Sequence, residues 1–108
     1  MIDWNRLNAL RDDIGEEEFA EVAALFIREI AETLTILQAD PEAATAEDFH
    51  FLRGSAVNLG LTRLAEACTR AEAACNMGAA PDITDVANAF GAAVSAIGPQ
   101  VPGLTPAA

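Results

Sequence analysis

The chain has 108 residues, 52% of them hydrophobic and only 6% aromatic, and its 17 acidic against 6 basic side chains give a formal net charge of −11. That length suits one domain able to bury a core without metal or disulfide help, and the negative field makes nucleic acid and anionic membrane poor partners. No apolar run approaches the ~20 residues needed to span a bilayer, and "MIDWNRLNAL" lacks the basic start and long apolar core of a signal peptide.

Alanine is abundant, period-two runs of Val, Ile, Thr and Tyr are missing, and the expected class is all-α. A short helix fits residues 3–12, with Asp3 as N-cap and Ile2, Trp4, Leu7 and Leu10 as apolar contacts. Gly15 breaks that pattern, and Glu16, Glu17 and Glu18 favour the first turn of a second helix over about 16–38. Phe19, Val22, Phe26, Ile30, Thr33 and Leu37 follow the spacing of one buried stripe there, widened by Leu25, Ile27, Leu34 and Ile36. After Pro41, Thr45 and Asp48 resemble a capping pair for a third helix that ends near Gly60. Thr62 can cap a fourth helix through about Asn76, with Leu64, Ala67, Cys68, Ala71 and Cys75 on one face. Asp82 starts the last helix, with Ile83, Val86, Phe90, Val94 and Ile97 as its stripe, and Gly98–Pro99 stops it. Short loops between four amphipathic helices predict an antiparallel up-down four-helix bundle over residues 1–98, one end covered by the short N-terminal helix. Residues 99–108 are expected to be a disordered tail.

Cys68 and Cys75 lie on one predicted helix at a separation of about 10 Å, too far for a mutual disulfide. They read as reduced, packed thiols of a cytoplasmic protein, with no second ligand pair nearby for zinc.

"FHFLRGSAVNLG", residues 49–60, holds the chain's one histidine. On a wheel at about 100° per residue, Phe49, Leu52, Ala56 and Leu59 form the core stripe, and His50 points about 140° away from its centre. The imidazole is therefore expected to face outward. Arg53, Gly54, Val57 and Leu61 share its side of the wheel. Arg53, one turn on, can supply charge-assisted hydrogen bonds to an anion on the ring. Gly54 costs about 1 kcal/mol against alanine inside a helix, which makes sense if bulk there would block approach to the ring. Val57 and Leu61 are apolar residues on an outward face and suit docking. Ser55 reads as packing. Asn58, on the flank, can serve helix ending or partner contact, and Phe51 can pack on the second helix or join the docking surface.

"HFLRGSAVNLGL", residues 50–61, resembles the signature of the histidine phosphotransfer (HPt) family, with His50, Leu52, Arg53, Gly54, Ser55, Ala56, Leu59 and Gly60 in register. The opening "IDWNRLNALRDDIGEEEFAEVAALFIREI" and the later "LAEACTRAEAA" are also similar to this family, so the likeness spans about residues 2–97. The resemblance implies a phosphoryl carrier in a two-component phosphorelay. His50 would take the group from the aspartyl phosphate of one receiver domain and pass it to the aspartate of another, on a hybrid histidine kinase or a response regulator. Arg53 stands where the family usually has lysine and would steady the phosphoryl group. Gly54 would leave room for the receiver, and Phe51, Val57, Asn58 and Leu61 would dock it. Leu61 is bulkier than the residue often found there and would tune partner choice. The receiver would bring the metal ion. The chain shows no ATP-binding motif, no metal cluster and no cofactor site, so a carrier rather than a kinase is expected, as a monomer.

A metal or hydrolytic enzyme built around His50 finds only Glu47, one turn earlier, at ligand spacing, and one pair is not a site; two other readings remain. One is a non-phosphorylated adaptor that docks receivers; such a protein would be expected to lose the histidine or the glycine, and both stand here. The other is the phosphoacceptor domain of a chemotaxis-type kinase. No dimerisation or ATP-binding region accompanies these residues, which favours a stand-alone carrier.

Overall fold

A computed structural model describes residues 2–101, and the regular elements among them are helical. In chain order they are α1 (Trp4–Ile14), α2 (Glu16–Ala39), α3 (Ala46–Asn58), α4 (Thr62–Asn76) and α5 (Ile83–Ile97), with short 3-10 turns at Pro41–Ala43 and Gly98–Gln100. The helix starts follow from local side-chain chemistry. Asp3 accepts from the Arg6 amide at 3.0 Å, and Asp82 accepts from the Asp85 amide at 3.0 Å. Thr45 and Asp48 form a reciprocal capping box, each side chain accepting the other's backbone N–H. Thr62 is the first residue of α4 rather than its cap, and the N-cap position falls to Leu61.

The helices α2, α3, α4 and α5 make a closed ring of neighbours, α2 touching both α3 and α5, and α1 packs on α2. The α3–α4 pair is the most closely associated. It runs antiparallel: His50 of α3 meets Glu72 of α4, while Val57 shares a groove with Ala65. One apolar core lies inside the ring, built from Phe19, Ile27, Ile30 and Leu34 of α2, Phe49 and Leu52 of α3, Leu64 and Cys68 of α4, and Val86 and Ile97 of α5. Leu7 of α1 closes it. No described helix is long and apolar enough to cross a membrane.

On α2 the buried stripe is Phe19, Ala23, Ile27, Ile30, Leu34 and Leu37, rotated from the expected one. Val22, Phe26 and Thr33 are half-buried, and Leu25 and Ile36 are exposed. The apolar arc of α2 is wider than its neighbours cover, and small Ala23 takes the line of close approach. A related shift occurs on α5, where Val86 and Ile97 are buried as expected but Ala89 and Ala93 are buried beside them and Phe90 and Val94 are only partly buried. Trp4 of α1 is exposed, and Cys75 is half-buried at the end of the α4 stripe. Both cysteines are free.

The expected tail needs correction at its start. The chain turns through Gly98–Gln100, the Gln100 carbonyl accepts from Arg11 at 3.5 Å, and Val101 is buried in the core. An apolar residue just past α5 can still reach the bundle end, where burial favours order. The rest of that expected tail, 102–108, lies outside the described residues.

The end of α3 sets the site's geometry. Leu61 N–H donates to the Ala56 carbonyl at 2.8 Å and Gly60 N–H to that of Val57 at 3.0 Å, the paired bonds of a Schellman ending. Gly60 has φ 73°, and a Cβ there would stand 2.6 Å from the Asp3 carbonyl oxygen. Only glycine meets both demands. Its carbonyl accepts from the Asp3 amide at 2.7 Å, tying the N-terminal segment to the histidine helix.

Candidate functional site

His50 lies in the second turn of α3 with its side chain 64% exposed. The core face of that helix is Phe49, Leu52, Ser55 and Ala56, followed by Leu59, all buried. The imidazole therefore projects outward, as the wheel requires. Its Nδ1 lies 3.3 Å from Oε2 of Glu72 on α4, a carboxylate only 25% exposed. A carboxylate is acceptor only, so this contact favours the tautomer with hydrogen on Nδ1. Nε2 then keeps its lone pair.

Arg53 stands one turn beyond His50, half-buried, and its guanidinium makes no hydrogen bond or ion pair among the described residues. Its charge is available to an incoming anion. Gly54 is exposed, and a Cβ there would meet no neighbouring atom within 4 Å. Helix packing does not require that glycine; the space beside it is open. Phe51 and Val57 are exposed large apolar side chains, 48% and 55% accessible. Asn58 is exposed, and its carbonyl, near the helix C-terminus, accepts from Arg6 Nε at 3.3 Å.

Leu61 departs from expectation. It is wholly buried in the core and presents no surface to a partner. Projecting it on the wheel of α3 carried the helix past its end. The chain leaves the helix at Gly60, and the residue after the turn bonds back to the Ala56 carbonyl with its apolar side chain in the core, as a Schellman ending favours.

Glu72 is the polar neighbour of His50 that local periodicity misses, because it comes from a different helix. A signal existed: once α3 and α4 pair antiparallel about the Gly60 turn, residues equidistant from Leu61 face each other, and His50 and Glu72 are such a pair. The Cys68 thiol offers no nucleophile of its own. Burial pushes the Cys68 thiol up to about 12, outweighing the opposite pull of Arg53, so it stays protonated at neutral pH. Among the described residues, no group of three His, Cys, Asp or Glu is placed to hold a metal ion.

The family model of the Hpt domain matches residues 21–98, from the first turns of α2 past the end of α5. The chain belongs to the Hpt domain family. Hpt domains are phosphocarriers in phosphorelays, work with receiver domains and have no ATP site of their own. In this Hpt domain the whole histidine helix falls inside the match, while α1 and the Asp3 tie to Gly60 lie outside it. No curated protein and no solved structure matches the chain.

Proposed function

We propose that His50 is the phosphoacceptor of this Hpt domain and relays a phosphoryl group between receiver aspartates. The observation that carries the reading is the exposed imidazole whose Nδ1 meets Glu72, beside an unpaired Arg53 and the open space at Gly54.

In the forward step the Nε2 lone pair attacks phosphorus of an aspartyl phosphate on the receiver. The P–N bond forms as the P–O bond to the acyl carbon's oxygen breaks, and the receiver's carboxylate leaves with the electron pair. The ring keeps its Nδ1 hydrogen and becomes cationic, and Glu72 offsets that charge. Arg53 lies within a turn and balances the phosphoryl oxygens. Return transfer reverses these bonds: the carboxylate of a second receiver attacks phosphorus and neutral imidazole departs. Phe51 and Val57 supply apolar docking area on the same side of the bundle, with Asn58 at its edge.

Incubation with a panel of receivers from the same cell, each loaded with labelled acetyl phosphate, tests the assignment. The expected result is an acid-labile, alkali-stable phosphoryl group on the wild type and none on His50→Gln. Equal label on the variant would overturn it. Receiver binding by an unlabelled wild type would instead favour the adaptor.

A further inference from the structure

Beyond the histidine helix, a second arginine faces the docking side. We propose that Arg70 of α4 is a specificity-determining contact that receives a carboxylate of the docked receiver, in the groove between α3 and α4; this rests on the phosphotransfer reading above. The groove has a volume of about 390 Å³ and is lined by Arg53, Val57, Ala65, Glu66, Thr69 and Arg70. It is continuous with the His50 surface, because Arg53 and Val57 belong to both. The groove thus borders the surface that a receiver over His50 would cover.

The lining suits one kind of side chain. Val57, Ala65 and Thr69 offer small, mostly apolar contact, and arginine stands on both helices that form the groove. Two of the chain's 6 basic residues line this groove, with Glu66 beside them and Asp85 paired to Arg70, so each arginine acts there as a local, directional donor rather than through a positive field.

Arg70 is also prepared for the task. Its Nη2 donates to Oδ2 of Asp85 on α5 at 2.8 Å, yet its side chain remains 60% exposed. A guanidinium carries five N–H donors in a rigid fork, so this bond orients the group and leaves donors facing outward. An arginine already held in place loses less freedom when a partner arrives, which favours it as an interface anchor. Asp85 raises the Arg70 pKa most, with smaller help from Glu66 and Asp82, and Glu66, one turn earlier on the same helix, also lines the groove. It disfavours a wholly acidic segment, so the match is one carboxylate beside an apolar residue.

The test uses the full chain and the acetyl-phosphate-loaded receiver that labels the wild type fastest. Arg70→Ala should raise the KM for that receiver about tenfold, the effect of losing one anchoring contact, with the maximal transfer rate held within about twofold. The wild-type KM should climb with added salt more steeply than that of the variant. Far-UV circular dichroism and Tm report whether Arg70→Ala keeps its fold; if it does not, Arg70→Gln, which retains length and some donors, takes its place in the same assay. An unchanged KM in the folded variant, or a KM shift with unaltered salt dependence, overturns the Arg70 assignment alone. No label on the wild type from any receiver would instead remove the carrier reading on which it stands.

Discussion

Gly54→Gln should slow receiver-dependent phosphorylation of His50 about a hundredfold, since small misplacements of reacting groups cost that much, while the protein stays folded. Gly54 is helical and exposed, and nothing within 4 Å meets a Cβ built there. Glutamine is a better helix former than glycine by roughly 0.5–1 kcal/mol, so the fold should gain slightly, a Tm rise of a few degrees. The same side chain, one turn from His50, stands in the space through which a receiver must bring its phosphoryl group to Nε2. Stopped-flow or quench-flow transfer assays beside a melting curve separate the two effects. Wild-type transfer in the variant would show that the space at Gly54 is not the receiver's path. A fall in Tm would show instead that glycine serves packing.

The second large effect concerns Leu61. Leu61→Ala should destabilise the protein by about 3 kcal/mol, typical of truncating a wholly buried leucine. Val57→Ala, on an exposed side chain, should cost below about 0.5 kcal/mol. Denaturant unfolding of both variants decides the matter. Against a total stability of about 5–15 kcal/mol the first loss is large. The two residues were alike on the helical wheel, and the contrast separates core from docking surface. Equal stability of the two variants would return Leu61 to the surface and contradict the Schellman ending of α3.

How far the sequence could be read depended on how local the causes were. The caps at Asp3, Thr45 and Asp82 were legible because each is a side chain meeting an amide three residues on. The outward direction of His50 was legible because Phe49, Leu52, Ala56 and Leu59 mark the opposite face with no ambiguity. The wheel failed at Leu61 because it assumes a continuing helix, and Gly60 ends one. It also failed on α2, where more apolar residues exist than the bundle covers, so that the choice of Ala23 over Leu25 belongs to the neighbouring helices. Val101 looked like tail because Pro and Gly surround it, yet its side chain is buried and its N–H donates to the Gly98 carbonyl. Glu72 needed the pairing of α3 with α4, a tertiary fact that periodicity within one helix does not contain. Arg70 needed that pairing as well, together with the ion pair from α5.

The central claim is that the imidazole of His50, held at Nδ1 by Glu72, carries the phosphoryl group on its other nitrogen. Phosphorus–nitrogen correlation NMR of the receiver-phosphorylated wild type, labelled with nitrogen-15 in its one histidine, reads that bond directly. The account predicts a phosphorus coupling to Nε2 of His50, with Nδ1 protonated. A phosphoryl group bonded to Nδ1, or residing on any other residue, would contradict it.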